Sequence, residues 1–361
     1  MQNPSTIQRS SLSVFLQESW YGSALWLQLL RPVSWLFRVL VFVRRSLYLR
    51  HRSNNPCSIP VIVVGNISVG GAGKTPLLMA LAEELKRRGH RVGIVSRGYG
   101  GNAKRFPLRV DRNTSPELCG DEPAMMAQRL NIPVVVDPVR KNAVIEALGC
   151  ASDYPCDVIL SDDGLQHYAM PRDIEILVVD AERGFGNGLC LPAGPLREPL
   201  SRLRSVDFLV SNGPDSARKL PKQHTFASMM LKPSACVNVT TGERVSIEKF
   251  FRRQLVHAVA GIGNPQRFFQ SLKDLGSQVI EHPFPDHYIY VPKDLHFGDA
   301  LPVLMTEKDA VKCKNIPLRN AWYLEVNAVL PDSFYEAVIN RLSSLQVARK
   351  IGVQRGLFDG H

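Results

Sequence analysis

The chain has 361 residues, 45% hydrophobic and 21% charged, with a mean hydropathy of −0.07 and a formal net charge of +11. That is more than one hydrophobic core comfortably serves, too apolar for global disorder and too polar for a polytopic membrane protein. The seven cysteines (57, 119, 150, 156, 190, 236 and 313) are scattered and never form a C-x-x-C pair, which argues against a disulfide framework and a zinc site and for a reducing compartment.

The charge is unevenly placed. Residues 1–54 carry seven arginines against Glu18 alone, more than half of the whole imbalance, together with Trp20, Trp26 and Trp35, three of the four tryptophans. The longest charge-free run, Ser19 to Leu30, has 12 residues, short of the roughly 18–20 that a spanning helix needs. Arg31, Arg38, Arg45 and Arg52 recur every seven residues and would line one stripe of a helix, with Trp35, Phe37, Val39, Leu40 and Phe42 around the rest. Arginine beside tryptophan and phenylalanine suits a helix lying in the interface of an anionic membrane. The alternative is a helical hairpin packed on the protein's own core with solvated arginines.

At residue 61 the text becomes VIVVGNISVGGAGKTPLLMALAEELKRRGH. Val61 to Val64 reads as a buried parallel strand. Leu77, Leu78, Leu81 and Leu85 fall at helical spacing, and Gly89 supplies a C-terminal stop. Between them Ser68, Val69, Gly70, Gly71, Ala72, Gly73, Lys74 and Thr75 match the Walker A pattern except that Ser68 replaces its first glycine. Backbone N–H groups of such a loop close around phosphate oxygens, Lys74 reaches the outer phosphates, and the Thr75 hydroxyl ligates magnesium. Pro76 is compatible with the first turn of the helix, where its missing N–H has no partner.

A second site appears in DVILSDDGLQH, where Asp162 and Asp163 end another apolar strand. Carboxylates at that end of an open α/β sheet complete the magnesium shell begun by Thr75. The competing reading is a turn formed by paired aspartates before glycine. Further strands are expected at Arg91–Ser96, Pro133–Val136, Ile174–Asp180 and Val206–Ser211.

Eight strings, in order, are GNISVGGAGKTP, SRGYGG (96–101), GDEP (120–123), DDGLQH (162–167), PAGPLREP (192–199), GIGNP (261–265), FPDHY (284–288) and TEKDAVK (306–312). Together they resemble the tetraacyldisaccharide 4′-kinase family of lipid A, and hence lipopolysaccharide, biosynthesis, over about residues 14–345. The resemblance implies a membrane-associated N-terminal helical segment, a P-loop domain with a mostly parallel sheet, and a smaller C-terminal α/β domain, with substrate entering between the two domains. It implies transfer of the γ-phosphate of ATP, with Mg2+, to the 4′-hydroxyl of an acylated glucosamine disaccharide 1-phosphate, giving lipid IVA. It places the protein on the cytoplasmic face of the bacterial inner membrane, and the chain is expected to act as a monomer.

By the same resemblance Asp121 is the general base, assisted by His287, with Lys74 acting on the phosphates. Without it, Asp121 reads more often as a helix N-cap and His287 as a satisfied surface or core histidine than as catalytic groups. The resemblance further assigns Asp162, Asp163, Gln166 and His167 to the magnesium and phosphate region, Arg97 and Arg140 to phosphate contacts, and Glu198 to the site as another carboxylate. Gly261, Gly263 and Pro265 read as a tight turn, and TEKDAVK is expected on the nucleotide side.

The expected organisation is an amphipathic segment at 1–54, a P-loop kinase domain at 55–225 ending in the polar connection 212–224, a smaller α/β domain at 226–345 and a flexible tail at 346–361. The second domain has strand candidates at Leu255–Ala260, Gln278–Glu281, Pro302–Met305 and Trp322–Val326. The rival function is a membrane-attached P-loop ATPase switch acting on a protein partner, which explains Lys74, Thr75 and Asp162 but has no use for an acceptor base. Nucleic-acid binding is not expected, because the basic charge sits among tryptophans and no recognition module appears.

Overall fold

The computed structural model describes residues 15–149, 155–214, 227–251 and 255–358, apart from 17, 23, 51–56, 58 and 319. In chain order, counting helices of ten residues or more, the elements are α1 (Arg31–Arg50), β1 (Val61–Gly65), α2 (Lys74–Arg87), β2 (Val92–Ser96), β3 (Leu108–Val110), α3 (Asp121–Leu130), β4 (Val134–Val136), α4 (Arg140–Gly149), β5 (Val158–Asp162), β6 (Ile174–Asp180), β7 (Phe208–Asn212), β8 (Ala227–Asn238), β9 (Arg244–Ser246), β10 (Leu255–Ala260), α5 (Pro265–Asp274), β11 (Gln278–Pro283), β12 (Val303–Thr306), β13 (Ala321–Val329) and α6 (Asp332–Phe358).

These elements form two compact units, neither continuous in sequence. The first comprises Met1–Val95, Arg140–Met230 and Leu330–His361, the second Ser96–Val139 and Leu231–Val329. The sequence expected continuous domains at 55–225 and 226–345, so residues 96–139 are the principal difference. They are tied to the rest of the second unit by Arg129, whose Nη1 donates to Glu307 Oε2 at 3.0 Å and to the Val326 carbonyl at 3.2 Å, and the segment is itself closely packed. A Cβ at Gly98 would lie 2.2 Å from Val136 Cγ1, and one at Gly120 would lie 2.4 Å from the Tyr99 carbonyl oxygen. Which of two cores an excursion of this kind joins is a long-range matter that local text does not record. Most of the expected connection at 212–224 lies outside the described residues.

In the first unit, β7, β6, β1, β5 and β2 lie side by side in that order, all parallel, with the first residues of β8 beside β7. β1, β2, β5, β6 and β7 are buried along their whole length, as a parallel sheet covered on both faces requires. The register pairs Val64 with Asp162, setting the start of the glycine loop beside the carboxylates. Helix α2 buries Leu77, Leu78, Leu81 and Leu85, and Gly89, at φ +90°, follows its end. Helix α6 buries Phe334, Val338 and Leu342 at four-residue spacing.

The tail expected to be flexible from residue 346 instead continues α6 as far as Phe358. Arg349 Nη2 donates to Asp173 Oδ1 at 2.7 Å, so part of the basic tail is tied to the unit. No proline interrupts residues 332–358, and a helix already nucleated by its buried face propagates at one hydrogen bond per residue.

In the second unit, β11, β10, β12 and β13 are parallel in that order, and β9 runs antiparallel to β8. β3 and β4 form an antiparallel pair. Alternate residues of β10 enter opposite cores. Val256, Ala258 and Ala260 pack in a cluster with Phe268, Phe269 and Leu272, whereas Val259 joins Tyr290, Leu295 and Met305.

A 3-10 helix, Leu25–Leu30, runs directly into α1. By length and composition alone, Leu25–Arg50 is long and apolar enough to cross a membrane, and most of it is not buried. The charge-free run argues against a span, whereas the helix continues through Arg31 and Arg38 to Arg50. Ser34 Oγ donates to the Cys190 carbonyl at 2.7 Å, Arg45 Nη2 to Ser205 Oγ at 2.9 Å, and the Tyr48 ring lies 6.4 Å from that of Tyr168. Helix α1 therefore touches its own unit along its length, while Trp35, Leu36, Leu40, Phe42 and Val43 remain exposed.

Candidate active site

The glycine loop joins β1 to α2. Gly70 and Gly73 have φ of +105° and +91°, the left-handed region that glycine enters without a Cβ clash. A Cβ at Gly73 would lie 2.5 Å from Asn212 Nδ2, whose amide donates to the Ala72 carbonyl at 3.1 Å. Ser68 is not among the positive-φ residues, so its position makes no demand for glycine. It forms a β-bridge with Leu196, and Val69 N–H donates to the Pro195 carbonyl at 2.8 Å. The departure from the Walker pattern thus falls where PAGPLREP braces the loop.

Lys74 and Thr75 open α2. Lys74 Nζ donates to Asn66 Oδ1 at 3.4 Å and lies 3.7 Å from Asp163 Oδ1. Asp163 Oδ2 accepts from Arg197 Nη1 at 3.3 Å. Burial pushes the Asp163 carboxyl up, but the charges of Lys74, Arg197 and Arg140 outweigh it and hold the group below the usual aspartate value. Asp163 adopts φ +46°, a strained conformation for a non-glycine residue and one that collects at functional sites. Asp162 ends β5, buried, and its carbonyl accepts from Arg140 Nη2 at 2.6 Å. Arg140 is itself 3% exposed.

Glu198 is not a solvated loop carboxylate: it is 1% exposed. Its Oε1 accepts from Gln166 Nε2 at 2.7 Å, its Oε2 accepts from the Tyr168 hydroxyl at 2.6 Å, and Arg202 Nε lies 3.2 Å from Oε2. Gln166 Nε2 also donates to the Asn66 carbonyl at 3.0 Å. Glu198 therefore braces Gln166 against the residue that holds Lys74. His167 is half-buried, and its carbonyl accepts from Arg172.

In the second unit, Asp121 is the first residue of α3, behind Gly120 at the N-cap with φ +92°. The N-cap reading of Asp121 is thereby replaced. Its Oδ2 lies 2.9 Å from His287 Nδ1. Asp121 is 8% exposed and His287 half-buried, with φ +60°. The Tyr99 ring, from SRGYGG, lies 5.3 Å from the imidazole. Arg97, from the same string, is exposed and makes no hydrogen bond or ion pair with a described residue.

TEKDAVK, expected on the nucleotide side, surrounds this pair. Asp309, fully buried, accepts at Oδ2 from Gly261 N–H at 3.0 Å and from Thr306 Oγ1 at 2.6 Å. Lys312 Nζ lies 2.7 Å from Asp309 Oδ1 and 4.0 Å from Asp121 Oδ2. Lys308 Nζ lies 3.4 Å from Asp286 Oδ1. Burial alone would lower the Lys308 ammonium's pKa, but Glu122, Asp286 and Asp121 raise it overall.

The first unit thus gathers Ser68 to Thr75, Arg140, Asp162, Asp163, Gln166, His167 and Glu198, and the second holds Arg97, Asp121 and His287. Sequence reading missed Asn66, Arg197, Asp309 and Lys312. Each lies inside or beside a recognised string, but its role depends on a partner distant in sequence.

A glycine loop between a buried parallel strand and a helix, with an aspartate pair at the end of the neighbouring strand, defines a P-loop nucleotide-binding protein. Residues 26–343 match the family model described as tetraacyldisaccharide-1-P 4′-kinase, and the chain belongs to that family. It is 51% identical over 344 residues to a tetraacyldisaccharide 4′-kinase of Hahella chejuensis, covering 94% of this chain and 99% of the relative. It is 46% identical over 332 residues to one of Alcanivorax borkumensis, covering 92% and 98%. The crystal structure of the "apo" form of LpxK from Aquifex aeolicus in complex with ATP matches with a TM-score of 0.73 and 30% identity, covering 88% of this chain and 100% of that one.

Proposed function

We propose that the protein is an ATP-dependent lipid kinase that moves the γ-phosphate of ATP to the 4′-hydroxyl of tetraacyldisaccharide 1-phosphate. The observation that carries a kinase over a P-loop switch is the Asp121–His287 pair at 2.9 Å, since a switch needs no group to receive an acceptor proton. Asp121 accepts the proton of the sugar hydroxyl at its carboxylate. His287 fixes the orientation of that carboxylate, and Lys312 adds a positive charge beside it.

The loop fits a nucleotide triphosphate. Its two left-handed glycines turn the backbone into a cradle at the start of α2, and a Cβ at Gly71 would meet nothing within 4 Å. Lys74 would hold the outer phosphates. The donor set also fits magnesium: Asp163 Oδ1 is buried and accepts no hydrogen bond among the described residues, Asp162 precedes it in sequence, and Thr75 follows Lys74, whose Nζ lies 3.7 Å from that oxygen. No group of three or more His, Cys, Asp or Glu that could hold a metal occurs among the described residues. Magnesium in nucleotide sites is instead bound by one or two carboxylates together with phosphate oxygens. The bound ion would neutralise phosphate charge. Gln166, Glu198 and Arg140 keep Asn66 and Asp162 in place around it, and Arg97 serves as a phosphate contact.

A helix fastened to its own protein at Ser34, Arg45 and Tyr48 cannot be encircled by hydrocarbon. We therefore read α1 as monotopic, with its exposed apolar residues in the cytoplasmic leaflet of the inner membrane and its arginines toward anionic headgroups. A kinase whose acceptor carries acyl chains gains from lying where the acceptor lies, and the protein is read as a monomer there.

The test is label transfer from γ-labelled ATP, with magnesium and detergent, to tetraacyldisaccharide 1-phosphate. Label in the lipid with wild type and none with Asp121→Ala is expected. Free phosphate without labelled lipid, from folded wild type, would overturn the reading.

A further inference from the structure

Arg183 belongs to none of the recognised strings and has no part in the roles assigned above. It follows the end of β6, the edge of a parallel sheet at which α/β proteins bind ligands. Asp180, the last residue of that strand, accepts from the backbone N–H of Glu182 at 3.1 Å and of Arg183 at 2.9 Å. This turn brings the Arg183 side chain to the glycine loop.

There Nη2 donates to the Gly71 carbonyl at 2.5 Å and to Asp180 Oδ2 at 3.3 Å. A Cβ added at Gly70 would lie 3.2 Å from Nη1. The guanidinium carbon lies 5.9 Å from the centre of the Tyr21 ring. Nη1 and Nε make no hydrogen bond with a described residue, so the guanidinium keeps donors in reserve where the loop is most open.

Three other cations near the loop are committed differently. Lys74 is drawn to Asn66 and Asp163, Arg197 to Asp163, and Arg140 to the Asp162 carbonyl. All three gather on the carboxylate side. Arg183 is anchored to the exposed turn Gly70–Gly71, the part of a P-loop that precedes the lysine and faces the outer phosphates. A guanidinium fixed there, with a planar fork of donors, has the chemistry that stabilises charge on a phosphoryl group in flight.

We propose that Arg183 is a catalytic arginine supplied by this chain to its own phosphate site. The inference rests on reading the loop as an ATP site. In the transfer, the bond from the acceptor oxygen to the γ-phosphorus forms as the bond from that phosphorus to the bridging oxygen breaks. The acceptor proton passes to Asp121 and the electron pair leaves with ADP. Arg183 donates hydrogen bonds to phosphate oxygens and is itself unchanged.

The full-length protein in detergent, as wild type, Arg183→Ala and Arg183→Lys, is assayed for kcat, for ATP affinity by calorimetry, and for binding of magnesium ADP with aluminium fluoride, a mimic of the transferring phosphoryl group. Arg183→Ala is expected to lower kcat by about 10²–10³-fold and to weaken the aluminium fluoride complex by a similar factor. Its ATP affinity should stay within about threefold of wild type if the arginine acts mainly on the transition state. Arg183→Lys, which keeps a cation but not the fork, should recover no more than a tenth of the lost rate if bidentate geometry matters.

Loss of ATP affinity in the same proportion as kcat would make Arg183 a structural clamp on Gly71 and overturn the proposal. So would unchanged kcat in Arg183→Ala, or full rescue by lysine. Wild type that traps aluminium fluoride but labels no lipid would instead refute the acceptor assignment and leave the Arg183 comparison readable by trapping alone.

Discussion

The glycine loop and the Asp121–His287 pair solve their problems in opposite ways. In the loop, eight consecutive residues form the cradle, the backbone supplies most of the donors, and side chains outside it such as Asn66, Asn212 and Glu198 brace it. In the pair, two side chains 166 positions apart meet at 2.9 Å, and Tyr99 and Lys312 beside them come from other strings. A site made of backbone depends on φ and local packing; one made of side chains depends on the long-range fold. The two should therefore fail differently when altered.

The largest loss is expected in the loop. Gly73→Ala forces a Cβ against Asn212 in a backbone conformation at φ +91°, and should abolish ATP binding measured by calorimetry. ATP bound with wild-type affinity by that variant would mean that the loop relaxes freely and would erase the contrast. Next, Asp121→Asn should cut lipid phosphorylation by about 10³-fold while leaving ATP affinity unchanged, because the pair acts on the acceptor. A parallel loss of ATP affinity would show that the two sites are not separable in function.

A smaller effect sharpens the pair itself. His287→Ala should lower kcat by about tenfold to a hundredfold, less than Asp121→Asn, if the imidazole only orients the carboxylate. Equal or reversed losses would make His287 the base.

The smallest effect on turnover is expected in the scaffold under the loop, where the change is read as stability. Burial pushes the Glu175 carboxyl up, but Arg202 and Arg172 prevail and hold it below its ordinary value. A carboxyl depressed in the folded state stabilises the fold above its unfolded pKa, and that stability is lost as pH falls through the folded value. Glu175→Gln should therefore be less stable than wild type at pH 7 by about 3 kcal/mol in urea unfolding. The gap should close as pH falls below about 4. A gap that persisted at low pH would assign the loss to packing.

The strands expected at Ile174–Asp180 and Leu255–Ala260 coincide with β6 and β10, because runs of β-branched and aliphatic residues bounded by turns carry their own signature. The loop was legible for the same reason: its pattern is contiguous. The membership of residues 96–139 was not legible, nor was the helix beyond residue 346. Glu198 illustrates the remainder. Its string was recognised, yet only the fold brings Gln166, Tyr168 and Arg202 to its carboxylate.

By itself the sequence determined the phosphate cradle, the aspartate pair at a strand end, the basic and aromatic N-terminal segment and, through eight ordered strings, the family. The tertiary structure alone decided that Asp121 sits behind an N-cap and meets His287, that TEKDAVK braces that pair, and that Arg183 reaches Gly71. The division follows from range. Backbone conformation and burial periodicity are set by neighbours a few residues apart, whereas a side chain's partner is chosen by the packing of elements the chain brings together from far away.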